Sequence, residues 1–104
     1  MPDGTINPGH IVISSAGRDA GHAYVVLGWY KPQTLLVADG RIRKVISPKK
    51  KNVKHVKRHS IANDVAEALT GGLKPTDEEL RQALAHIGVP DKLLKADEEG
   101  IALV

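Results

Sequence analysis

The chain has 104 residues, with fifteen Lys and Arg, twelve Asp and Glu, and neither Cys nor Phe. That length suits one domain built on a single aliphatic core. The missing cysteines exclude disulfides and Cys-ligated zinc or iron–sulfur sites, and no apolar run approaches the ~20 residues of a membrane span. The net charge of +3 conceals a split. Residues 1–60 carry eleven Lys and Arg against Asp3, Asp19 and Asp39, whereas residues 61–104 carry four against nine acids. A positive field able to concentrate polyanions therefore belongs to the first half alone. No secretory signal is read in the opening residues, so a soluble cytoplasmic protein is expected.

The first half reads as short strands. His10 to Ser14 is rich in β-branched residues and follows a Pro-Gly turn signal. Ala16 to Gly21 (AGRDAG) is a tight loop. His22 to Tyr30 is a second strand, in which Gly28 marks a bulge. Lys31-Pro32-Gln33 turns the chain into a third strand over Thr34 to Ala38. Asp39-Gly40 is a hairpin signal, leading to a fourth strand over Arg41 to Ile46 that Pro48 ends. A short fifth strand spans Val53 to Val56. Five such strands at regular spacing suggest a small barrel.

The period then changes. Ile61, Val65 and Leu69 recur on one helical face, with Ser60 as cap and Gly71-Gly72 as stop. Thr76 and Glu79 have capping-box spacing and open a second helix reaching about Ile87, with Leu80, Leu84 and Ile87 on one face. Asp91 to Glu99 reads as a weaker helical turn. The expected fold is thus mainly β, a five-stranded barrel over residues 1–59, with an acidic helical extension over residues 60–104.

The stretch from Gly9 to His22 resembles the opening of a KOW domain. The resemblance continues through Leu36 to Gly40, Arg41 to Val45, Pro48 to Lys51 and Val53 to Val56. More specifically it looks like the group containing the archaeal and eukaryotic fourteenth e-type large-subunit ribosomal protein, a pattern that short bacterial KOW-domain RNA-binding proteins share. It covers residues 8–57, about half of the chain. It implies an SH3-like barrel that binds RNA, usually ribosomal RNA. The acidic helical tail lies outside the general KOW pattern and points to the bacterial relatives.

The candidate RNA-binding residues fall in three places. In the first loop, Gly17 and Gly21 permit positive φ, and the loop can aim N–H groups outward as an anion nest. Arg18 adds a planar fork for phosphate, with Asp19 and His22 alongside; a plain turn with a solvated Arg18–Asp19 pair is the alternative. From residue 41 to residue 58 there are nine cations and no acid: Arg41, Arg43, Lys44, Lys49, Lys50, Lys51, Lys54, Lys57 and Arg58. Alternation places Arg41 and Arg43 on one face of the expected strand, and the Lys run becomes a mobile loop able to follow a backbone. His55 completes the set.

Of the three aromatics, Trp29 and Tyr30 are neighbours on a strand, so one is expected in the core and the other exposed, able to stack on a base. His55 and His59 stand four apart but lack a nearby carboxylate, so no metal site is expected. No cofactor is expected either. No nucleophile with an oriented base is apparent, so catalysis is not expected. The expected partners are RNA, and ribosomal proteins through residues 60–104, with the free protein a monomer. Two other readings stand beside this one. The acidic helices, through Leu80, Leu84 and Ile87, are the working surface of a protein-interaction module in a transcription or translation factor. Or the acidic tail folds over the basic face and weakens RNA binding.

Overall fold

The computed structural model describes residues 6–87. Five antiparallel strands, β1 (His10–Ser14), β2 (Ala23–Lys31), β3 (Thr34–Ala38), β4 (Lys49–Asn52) and β5 (Val56–Ile61), form one sheet in the order β4-β3-β2-β1-β5. Two helices follow, α1 (Asn63–Thr70) and α2 (Asp77–Ala85). The expected turn at Asp91 to Glu99 lies outside the described residues.

The sheet is curled. β4 and β5 lie at opposite edges, about 19 Å apart if the sheet were flat, yet only the 3-10 turn Val53–His55 joins them. Such a turn rises roughly 6 Å, so the sheet must wrap until its edges approach at that corner. The Val53 N–H donates to the Gln33 carbonyl and the Ser15 N–H to the His55 carbonyl, pinning the turn between the two edges. No ladder pairs β4 with β5, and the sheet stays open along that seam.

Strand β2 does the bending. Leu27 and Tyr30 are extra residues with no partner on β3, where the register shifts twice. The bulge expected at Gly28 is there. Such insertions increase local twist and turn a strand around a core.

The middle of the sheet is buried on both faces, and this explains the near-continuous apolar runs of β1, β2 and β3. Val12, Tyr24, Val26, Leu35, Val37 and Val56 line the inside of the curl. Ile11, Val25 and Ala38 face outward and pack against Val65 of α1 and Leu80 of α2. Sheet and helices thus share one outer core, and residue 60 lies inside β5.

Four expected elements are corrected. Arg41 to Ile46 is not a strand: the Asp39 carboxylate accepts the N–H groups of Arg41 (2.8 Å) and Arg43 (2.9 Å), folding the chain into a loop. The Lys run is itself strand β4, paired with β3 through Lys49, Lys50 and Lys51, rather than a mobile loop. The fifth strand begins at Val56 rather than ending there. The first helix starts two residues later than read. Ile61 stays in β5 opposite His10, the Ala62 N–H donates to the Gly9 carbonyl, and the helix has no side-chain cap. The Thr76–Glu79 capping box of α2 is present in full.

Candidate nucleic-acid interface

The strand register divides the three lysines of β4. Lys49 and Lys51 are opposite Val37 and Leu35, which point into the curl, whereas Lys50 is opposite Leu36 on the outer face. The inward pair meets Asp19. Its carboxylate accepts hydrogen bonds from Ser14 Oγ (2.8 Å), the Tyr24 hydroxyl (2.6 Å), Lys51 Nζ (2.9 Å) and Lys49 Nζ (3.2 Å). Burial alone would push the Asp19 carboxyl up. The bonds from Tyr24, Lys51, Ser14 and Lys49 outweigh it and hold the group well below the usual carboxylate range. Burial and the Asp19 bond raise the Tyr24 phenol in turn.

Asp19 is therefore an internal anchor rather than half of a solvated pair with Arg18. Lys51, its side chain only 9% exposed, is a structural cation. The loop around Asp19 also differs from an outward nest. The N–H groups of Ala20, Gly21 and His22 donate to Gly17, Ser14 and Asp19 carbonyls within the loop. Gly17 and Gly21 do adopt positive φ, +87° and +92°. Arg18 is left exposed at the tip.

Asp39 anchors the second loop in the same manner. Its residue is 2% exposed. Besides the N–H groups of Arg41 and Arg43, it meets His22 Nε2 at 2.6 Å. Burial pushes the Asp39 carboxyl up, but the Arg41 N–H, His22 and the Arg43 N–H bring it below its ordinary value. The His22 ring contacts Tyr24 edge-on at 4.8 Å. Asp39, His22, Tyr24 and Asp19 thus form one chain of contacts from loop to loop. Helix α2 clips the far side: Arg81 Nη1 donates to the Gly40 carbonyl (2.6 Å) and the Val45 N–H to Asp77 Oδ1 (2.8 Å).

With the loop pinned by backbone bonds, Arg41, Arg43 and Lys44 are exposed, and Ile42 stands between them 81% exposed. The Ser15–His55 bond joins the first loop to the 3-10 turn, where Lys54 and His55 are exposed. The structure therefore links Arg18, the Arg41–Lys44 loop and Lys54–His55 as three segments joined through the two aspartates, the His22–Tyr24 ring contact and the turn. It separates Lys57 and Arg58, which pair with Ile13 and Val12 on opposite faces of β1. Arg58 lies near His10, whose imidazole is pushed down by burial first and by that guanidinium second.

Trp29 and Tyr30 depart from expectation: both are exposed, by 43% and 52%. The Trp29 indole N–H donates to the Ile6 carbonyl, and Lys50 Nζ stands 4.1 Å from the centre of the Tyr30 ring. Sequence reasoning missed the Asp19 cluster and the outward Lys50–Tyr30 pair. Only the alternation of Lys49, Lys50 and Lys51, read as a strand, would have signalled them. The apolar helix face of Leu80, Leu84 and Ile87 is packed on the sheet, with Leu80 fully buried.

Among the described residues no three His, Cys, Asp or Glu side chains are grouped as a metal site, and no helix is long and apolar enough to cross a membrane. No family model matches the chain, and no curated protein matches it.

Proposed function

We propose that this is an RNA-binding protein of the cytoplasm, meeting a phosphate backbone through Arg18, Arg41, Arg43, Lys44, Lys50 and Lys54. The observation that carries the reading is the sorting of the cations. The acid-free stretch from residue 41 to residue 58 spends Lys49 and Lys51 on Asp19, while Arg41, Arg43, Lys44, Lys50 and Lys54 remain exposed. Both acids of that half within the described residues, Asp19 and Asp39, are turned inward. Among the described residues none of these exposed cations is in an ion pair with a carboxylate; such cations repel one another, and a polyanion relieves that cost. On this reading the curled sheet is an SH3-like barrel of the KOW kind, supported by its strand order and by the 3-10 turn that draws its edges together. Ribosomal RNA is the natural first substrate to test.

Docking of a protein through Leu80, Leu84 and Ile87 has less support, because those side chains are already committed to the sheet.

The test is fluorescence anisotropy of a labelled, structured ribosomal RNA fragment across a salt series. Six phosphate contacts at ~0.7 counterions each give a log–log slope of about −4, or roughly 300-fold weaker binding between 50 and 200 mM salt. Replacing Arg41, Arg43 and Lys44 together with alanine should flatten the slope by about 2. Absence of salt-sensitive binding to any structured RNA sinks the proposal.

A further inference from the structure

The outer face of the sheet is covered by helices only in part. Ile11, Val25 and Ala38 lie beneath α1 and α2. One row further along, Gly28, Leu36 and Lys50 are aligned across β2, β3 and β4. A side chain grown from Gly28 would meet nothing within 4 Å. Two residues further along the strand is Tyr30, the extra residue of the second β2 bulge, half exposed beneath Lys50 Nζ. A bulge re-aims a side chain, and here the ring lies on the side of the sheet that Lys50 occupies.

This placement asks for a reason. The chain has three aromatic residues, and only Tyr24 is in the core. A ring exposed to water forgoes the burial that aromatics ordinarily supply. Lys50 also fixes the ring by a cation–π contact, so its orientation is set before any partner arrives. Lys31, the next residue and exposed, adds a second cation at the end of β2.

We propose that the exposed Tyr30 ring is a stacking platform for one unpaired base of the bound RNA, taken on the ring face away from Lys50, with Lys50 and Lys31 supplying cations for the flanking phosphates. The inference rests on the RNA reading above and narrows its substrate to RNA with a bulged or single-stranded nucleotide. Any base has a π-face, so the platform selects unpaired nucleotides without selecting sequence. An exposed ring with a cation against one face suits a flat, polyanion-linked partner better than an apolar peptide, which would leave Lys50 and Lys31 without counter-charge.

The experiment compares two labelled blunt RNA duplexes, one fully paired and one carrying a single bulged nucleotide, against the full chain at fixed salt. Wild type should bind the bulged duplex more tightly. Tyr30→Ala should weaken that binding about 10-fold, within the range measured for removing one stacked base, and leave the paired duplex unchanged. Tyr30→Phe keeps the π-face and should stay within about 2-fold of wild type. Thermal unfolding midpoints close to wild type confirm that the fold is unchanged. Equal losses on both duplexes would assign Tyr30 to the backbone contact or to the fold, and overturn the platform. No effect on either duplex would overturn it too. If wild type binds neither RNA, the broader reading falls first and takes the platform with it.

Discussion

Asp19→Ala should destabilise the protein far more than a loop substitution ordinarily does. The change removes one acceptor group that four donors share. Tyr24 is 3% exposed, so its hydroxyl is left buried and unsatisfied, at a cost of about 1–3 kcal/mol. The Lys51 ammonium keeps only the Ala16 carbonyl at 3.2 Å. Stripping the partner from a buried ion pair costs about 3–5 kcal/mol, but water reaching Asp19 and Lys49 relieves part of both losses. A total near 3–4 kcal/mol is expected, a large share of the ~5–15 kcal/mol that holds a domain together. Urea unfolding followed by the fluorescence of Trp29, the single tryptophan, should show the midpoint falling by roughly 2 M for a typical small-domain slope. The double variant Asp19→Ala, Lys51→Met should recover at least about 1 kcal/mol, because it removes the stranded charge along with its partner. A loss below about 1 kcal/mol in the single variant, or no recovery in the double, would refute the assignment of Asp19 as the internal anchor.

The same cluster sets the acid limb of stability. The native Asp19 and Asp39 carboxyls are both held below their ordinary value, while in the unfolded chain such groups protonate near pH 4. Below about pH 5 the unfolded state therefore binds more protons than the native state, and stability falls as the pH drops toward the native values. Above that window the contribution is fully present. Asp19→Ala should flatten this limb as well as lower the whole curve.

Three further predictions follow from the geometry. Lys50→Ala should leave the urea midpoint within error and weaken RNA binding with a shallower salt slope, whereas Lys51→Ala should lower the midpoint; identical behaviour of the two variants would contradict the inward–outward sorting on β4. Gly40 has φ +79°, and a Cβ there would run into the Asp77 carbonyl of α2, so Gly40→Ala should cost about 3 kcal/mol or more from strain and overlap together, read as a lowered thermal midpoint. His10 accepts the Asn7 N–H on Nδ1 (2.8 Å), and its imidazole is pushed down by burial and by Arg58. The unfolded imidazole takes its proton near pH 6.5 and the native one only below that, so stability should decline as the pH falls through that window. Comparing wild type with His10→Gln at pH 7.5 and 5.5 isolates the effect, and an equal decline in both would count against it.

What could be read from the sequence was what local chemistry decides. Thr76 and Glu79 cap a helix through bonds three residues long, so their spacing suffices. Gly17 and Gly21 take positive φ where turn chemistry asks for it, whereas Asp39-Gly40, read as a hairpin, opens a longer loop between β3 and β4. The change from strands to helices was visible as a change of period. The β4 assignment failed for the opposite reason. Lys49-Lys50-Lys51 has low strand propensity and like charges, and Arg41 to Ile46 has the better alternation. Two aspartates reversed the outcome through contacts that spacing does not display. Asp39 captures the N–H groups of Arg41 and Arg43 and so denies them to a ladder. Asp19, thirty residues upstream of Lys49, neutralises the two lysines that must face inward if β4 is to pair with β3. The open question was never whether the stretch from 41 to 58 is basic but which of its cations are free to act, and long-range carboxylate partners decide that. Any chain with so dense a run of cations and so few acids beside it poses the same question, and its rare acids are where to look for the answer.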